Sequence, residues 1–239
     1  MSIVKREWLL HGCMDLSGED EAERVSIKTR ALISEMYGGV EFSIKGWPEK
    51  GFRNTLWWYE KSVSTPSTVA SYSLKLDNWR GPNLYAGITV EKGYEDEEKA
   101  KNVAAASTTR TIESLLLDEN WDWNRFVSSL NQIEPLVVSA AETLNSELYF
   151  CLEFGHNRND SDYYVVRNGS LYRRVGFRSY GVEDLFKFVT KSRRKLWGNV
   201  HLMRAFSLGE CSPYLNVEEL LDVYRAMRPI RDLWRGVKP

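Results

Sequence analysis

Four stretches in the first hundred residues alternate apolar and polar side chains with a period of two, a pattern that suits a half-buried β-strand and no helix. Residues 40–45 set Val40, Phe42 and Ile44 against Glu41, Ser43 and Lys45. Residues 56–61 form an aromatic-rich run, residues 69–77 put Ala70, Tyr72, Leu74 and Leu76 on one face, and residues 84–92 do the same with Leu84, Ala86, Ile88 and Val90. The turn formers between them (Trp47-Pro48, Thr65-Pro66, Gly81-Pro82) predict an antiparallel meander. A second set follows: Leu148, Phe150, Leu152 and Phe154 alternate, residues 163–167 join 171–177 through Asn168-Gly169, and residues 199–206 read as a last strand. Asn-Gly between two such runs is a strong hairpin signal, because both residues tolerate the positive φ of a type I′ turn.

Helical spacing fills the gaps. Residues 17–36 place Ala22, Val25, Leu32, Ile33 and Met36 on one side, with Ser17 to cap and Gly38-Gly39 to stop. Residues 95–117 are rich in Ala, Lys and Glu, and a helix starting near Asp122 buries Trp123, Phe126, Val127 and Leu130 until Pro135 breaks or kinks it. Residues 182–197 and 217–234 complete the chain, with Pro229 placed to kink or split the last helix. The order is an N-terminal helix, a four-strand largely antiparallel meander, central helices, then a second strand set with an Asn-Gly hairpin and C-terminal helices. That is an α+β chain, not a βαβ alternation. With no internal repeat and no Pro/Gly/Ser-rich linker, one compact domain over 1–239 is expected, any subdivision falling near 118–146.

The chain is long enough, at 239 residues, to bury a core without disulfides or metals. Its three cysteines, Cys13, Cys151 and Cys211, are odd in number and far apart, which fits reduced thiols. No apolar run approaches the roughly 18 residues of a membrane span, and the first residues lack the h-region of a signal peptide. A cytoplasmic location and no membrane partner are expected.

Motifs with built-in chemistry are absent. No glycine-rich phosphate loop, G-x-S-x-G elbow, H-E-x-x-H or C-x-x-C occurs, and His11 with Cys13 supplies two metal ligands where zinc needs at least three. No cofactor is expected. Residues 153–162 crowd Glu153, His156, Asp160 and Asp162 into one turn, but turn chemistry alone explains that composition, and Cys151 with His156 lacks a third orienting group. Helix, strands, helix and strand in this order are compatible at fold level with the core of the restriction-endonuclease-like nucleases, which hold Mg²⁺ on strand carboxylates. The candidates for that role are Asp77 and Glu91 with a nearby lysine. The motif is broken, however: Glu91 and Lys92 alternate to opposite faces, and Ser43-Ile44-Lys45 and Ser73-Leu74-Lys75 have serine where the acid belongs.

Charge is the remaining signal. The formal total is -1, yet residues 170–239 carry 14 Lys and Arg against 7 Asp and Glu, leaving +7 there and -8 in the remainder. Arginines interleave with rings: Tyr172, Arg173, Arg174 and Arg178; Arg193, Arg194 and Lys195 beside Trp197; and Arg225, Arg228, Arg231 and Arg235, spaced three, three and four along one helix side. Such a set can track phosphates while Trp57, Tyr172 and Trp197 stack on bases. Trp58 and Trp123 are expected in the core instead. A binding module for nucleic acid or another polyanion is the first expectation. The alternatives are a metal-dependent phosphodiesterase and a structural or inhibitory protein that meets a protein partner through exposed aromatics.

Overall fold

The computed structural model describes residues 19–46, 55–61, 70–77, 83–94, 96–106, 112, 116, 121–154, 161–167, 170–173, 179–180, 198–207 and 217–236. The elements in chain order are α1 (Glu19–Met36), β1 (Phe42–Gly46), β2 (Thr55–Glu60), β3 (Ser71–Asp77), β4 (Asn83–Lys92), α2 (Glu97–Ala105), α3 (Trp121–Thr143), β5 (Leu148–Phe154), β6 (Ser161–Arg167), β7 (Ser170–Arg173), β8 (Ser179–Tyr180), β9 (Gly198–Ser207) and α4 (Val217–Arg235). The chain is α+β. The helix expected over 182–197 lies outside the described residues.

Local chemistry sets the boundaries. α1 ends where Gly38 and Gly39 take φ of 67° and 92°, letting the Gly39 N–H reach back to the Ser34 carbonyl at 2.8 Å. α2 starts on Asp96, whose carboxylate accepts from the Lys99 N–H at 3.2 Å. α3 ends on Asn145 at φ 44°, and the Ser146 N–H bonds the Ala141 carbonyl at 3.1 Å, a Schellman closure. Of the break or kink expected at each proline, the break does not occur: α3 runs on through Pro135 and α4 through Pro229. Both prolines are exposed, where water can serve the carbonyl that each ring leaves without an N–H partner.

All strand pairings are antiparallel, in one sheet ordered β1-β2-β3-β4-β9-β5-β6-β7-β8. The expected meander is its first half. The hairpin is also present, with Arg167 opposite Ser170 and Val166 opposite Leu171 across a two-residue connection. What joins the two strand sets is β9, which leaves its sequence neighbours and inserts between β4 and β5.

One face of the sheet carries the core. Trp58, Tyr72, Ile88, Leu202 and Phe150 form a continuous cross-strand row, all fully or almost fully buried. Against this apolar layer pack Ile33 of α1, Trp123, Phe126, Ile133 and Val137 of α3, and Leu220, Val223, Tyr224, Met227, Ile230 and Trp234 of α4. Trp58 and Trp123 are core residues, as their positions in the alternating and helical patterns led one to expect.

Candidate functional site

The arginines of α4 do not form an open basic face. α4 buries a stripe wide enough to take in Arg231, which has no exposed surface. Its Nη2 donates to Glu60 Oε2 at 2.6 Å, its Nε to the Ala70 carbonyl at 2.9 Å and its Nη1 to the Tyr37 hydroxyl at 3.1 Å. Its guanidinium also lies 4.9 Å from the Tyr72 ring centroid and 5.2 Å from that of Tyr37. Arg235 donates to both Asp122 oxygens at 3.1 and 3.0 Å and to Glu60 at 3.4 Å. Arg228 bonds Asp232 at 3.2 Å and the Met36 carbonyl at 2.7 Å, and Arg225 pairs with Asp222 at 3.0 Å. The polyanion assignment is therefore corrected for Arg231 and Arg235, which are spent on interior carboxylates. Arg228 and Arg225 keep exposed surface but each has a carboxylate partner.

This network ties α4 to β2, to β3, to the end of α1 and, through Asp122, to α3. Glu60 ends β2, Tyr37 follows α1, Tyr72 lies on β3, and Tyr37 donates to Asp232 at 2.8 Å while sharing a 2.7 Å hydrogen bond with Tyr72. Burial alone would raise the Glu60 carboxyl, but Arg231, with Arg235 behind it, outweighs burial and holds the group below the ordinary carboxylate range. Asp122 goes the other way: burial lifts it above its ordinary value, and Arg235 and the Ala70 N–H pull it back only in part. Burial also raises Tyr37 and, further, Tyr72, so both stay neutral donors. A buried ionic set with its hydrogen bonds completed fixes the orientation of the helix and leaves no cation for a ligand.

The proposed Asp77 and Glu91 metal pair does not assemble. Asp77 is paired with Asn83 at the start of β4, whereas Glu91 is eight residues further along that strand, about 26 Å away at roughly 3.3 Å per residue. Among residues whose side chains are described, no group of three His, Cys, Asp and Glu is placed to hold a metal ion.

The expected stacking residues stand on strands far apart in the sheet. Trp57 is half-buried on β2, while Tyr172 is on β7, six strands across the sheet or about 29 Å at roughly 4.8 Å per strand. In the β6–β7 ladder Tyr172 is paired with Val165 and Arg173 with Tyr164, near the sheet's β8 end. Arg174, Arg178, Arg193, Arg194, Lys195 and Trp197 lie outside the described residues. Among the residues whose side chains are described, the exposed large hydrophobics are Ile27 and Val40.

A second network went unseen in the sequence. On the face away from the helices, Ser73 of β3, Thr89 of β4 and His201 of β9 are all buried and joined in series: Ser73 Oγ to Thr89 Oγ1 at 2.7 Å, and Thr89 Oγ1 to His201 Nδ1 at 2.7 Å. Ser71 and Lys75 are buried on the same face. Three separate strands supply the chain of hydroxyls and imidazole, so no spacing within one segment could announce it. The signal available was the run of polar residues, Ser71, Ser73 and Lys75, at the alternate positions of a strand deep in the sheet.

Comparison with protein-family models, with characterised proteins and with solved structures gives no match. The functional reading rests on the chain's own residues.

Proposed function

We propose that the chain is a binding module for nucleic acid or a related polyanion, acting through the basic stretch 163–197. The observation that carries this reading is where the positive charge is left once α4 is accounted for. α4 holds four arginines against Glu218, Glu219, Asp222 and Asp232, which is electrically balanced. Residues 163–197, in contrast, hold nine Lys and Arg against Glu183 and Asp184, a surplus of seven. Arg167 and Arg173 belong to β6 and β7 at the β8 end of the sheet, and Arg174 and Arg178 are their close neighbours in sequence. A surplus of that size along one stretch of sequence favours phosphate binding through counterion release, with Tyr172 and Trp197 as rings on which bases stack.

Fluorescence anisotropy against single- and double-stranded DNA and RNA, at two salt concentrations and with and without Mg²⁺, tests the reading. The expected result is salt-sensitive binding that does not depend on Mg²⁺. Removing three charges together (Arg173→Ala, Arg174→Ala, Arg178→Ala) then weakens binding and flattens the log-log salt slope by about 2 to 3, at roughly 0.7 to 0.9 for each phosphate no longer neutralised. An unchanged slope in that variant, or no binding in any condition, overturns it.

A further inference from the structure

β9 carries an arginine on the sheet face that holds the core, and it is left without an anion. Arg204 is paired with Ala86 on β4 and with Leu148 on β5, both core residues, and lies two positions from the buried Leu202 on the same face. Arg125, Arg225, Arg228, Arg231 and Arg235 each lie within 3.7 Å of a carboxylate. Half-buried Arg204 has no hydrogen bond or ion pair among the described residues; its guanidinium carbon instead lies 4.7 Å from the centroid of the Phe206 ring. Nε is enclosed and meets no acceptor, while Nη1 and Nη2, equally unpartnered, are not enclosed and open to solvent. A methionine here would pack its stem as well without leaving a buried N–H unmet, so the charge itself needs an explanation.

We propose that Arg204 is a phosphate-contacting residue of the polyanion site, Nη1 and Nη2 donating to one phosphate while the Phe206 ring holds the guanidinium plane in place. This rests on the polyanion reading and carries it beyond residues 163–197, on to β9. The register supports it. Leu148 pairs with Val166 on β6 and Val166 with Leu171 on β7, so Arg204 shares one cross-strand row with the β6–β7 ladder. Arg167, next to Val166, then lies about 10 Å from Arg204 at the backbone and Arg173 about 16 Å, at roughly 4.8 Å per strand and 3.3 Å per residue. A strand with one phosphate per roughly 3.4 Å of axis places several phosphates along that distance. The guanidinium fork matches two oxygens of one phosphate, and stacking on a ring uses none of its donors.

The test is fluorescence anisotropy of labelled single- and double-stranded DNA and RNA over a series of salt concentrations, with the full wild-type chain beside Arg204→Met. Methionine keeps the stem over Phe206 and removes the fork. The expected result is weaker binding and a log-log salt slope smaller by about 0.7 to 0.9, the equivalent of one phosphate. A role confined to packing would move the unfolding transition and leave the slope alone. Circular dichroism checks that the variant is folded. If Arg204→Met does not fold, the wild-type chain answers the same question: bound oligonucleotide should protect Arg204 from phenylglyoxal, located by peptide mapping. Wild-type binding with an unchanged slope in folded Arg204→Met, or no protection of Arg204 in the complex, overturns this inference and leaves the polyanion reading standing. No binding by the wild type in any condition removes that reading, and this inference with it.

Discussion

Two stretches of this chain carry arginines at close spacing, and they differ in the number of acidic residues that accompany them. In α4 each arginine has a carboxylate within 3.4 Å: Asp222 for Arg225, Asp232 for Arg228, Glu60 for Arg231, and Asp122 with Glu60 for Arg235. Over residues 163–197 the two acidic residues, Glu183 and Asp184, face nine basic ones. The number and spacing of arginines therefore say little about ligand binding until their anions are counted. α4 uses its cations to dock on the sheet, whereas the basic stretch has a surplus of seven positive charges in its sequence, the basis on which polyanion binding is proposed.

The contrast predicts its largest effect at Arg231. Arg231→Met removes the main cation from a buried Glu60, and breaking a buried pair in this way costs about 3–5 kcal/mol, read from urea denaturation at pH 7. The pH dependence has a definite sign. In the wild type the Glu60 carboxyl sits below its ordinary value, so its stabilisation is present above the ordinary carboxylate pKa and is lost as pH falls through the folded value. Without Arg231 burial dominates, the folded pKa lies above the unfolded one, and protonation relieves the penalty. The difference between variant and wild type should thus shrink as the pH is lowered from 7 towards 4. A difference that stays constant across that range would mean that Arg231 acts through packing alone. In any fraction that remains folded, the salt slope of nucleic-acid binding should be unchanged.

Next in size is a change that touches no charge. A Cβ on Gly87 of β4 would lie 1.9 Å from the Leu202 carbonyl oxygen and 2.8 Å from the Met203 Cα, both on β9. Backbone cannot give way as a flexible side chain does, so Gly87→Ala should destabilise by about 1–3 kcal/mol, as overpacking does, measured by the same denaturation. Because β9 joins the meander to β5, the variant tests whether the two halves of the sheet unfold together. Two separate transitions would show that β4 and β5 lose their cooperation when β9 is displaced.

Much of this architecture was legible because its determinants are local. Period-two runs and turn formers located β1 to β4, and Asn168-Gly169 located the β6–β7 hairpin, since both the alternation and the turn act over a few residues. The place of β9 was not legible: its partners Leu84 and Phe150 are distant in the chain, and nothing within β9 says which pair of strands it will enter. The same reason hid the Ser73, Thr89 and His201 series. For Arg231, helical spacing put it with the other arginines on the side away from the apolar residues, whereas it is buried, because the buried stripe of α4 is wide enough to include Tyr224 and Arg231 beside Leu220, Met227 and Trp234. Glu60 at the end of an aromatic strand was the one hint in the sequence that a buried cation would be needed.

The smallest effect sharpens the comparison most. Arg225 is the α4 arginine that a sequence reading would most readily give to a ligand: it is exposed, and its Asp222 partner, three residues away on the helix, is exposed too. An ion pair of that kind is largely screened by water, so Arg225→Ala should change stability by less than about 0.5 kcal/mol. If polyanion binding belongs to residues 163–197, the same variant leaves both affinity and salt slope unchanged, while the triple arginine variant in that stretch shifts both. A drop in slope of about 0.9 from Arg225→Ala alone would instead put the helix against phosphate, with Asp222 giving up its partner to the ligand. Compensation is what separates the two outcomes, because Asp222 already neutralises Arg225, whereas residues 163–197 hold two acidic residues for nine basic ones.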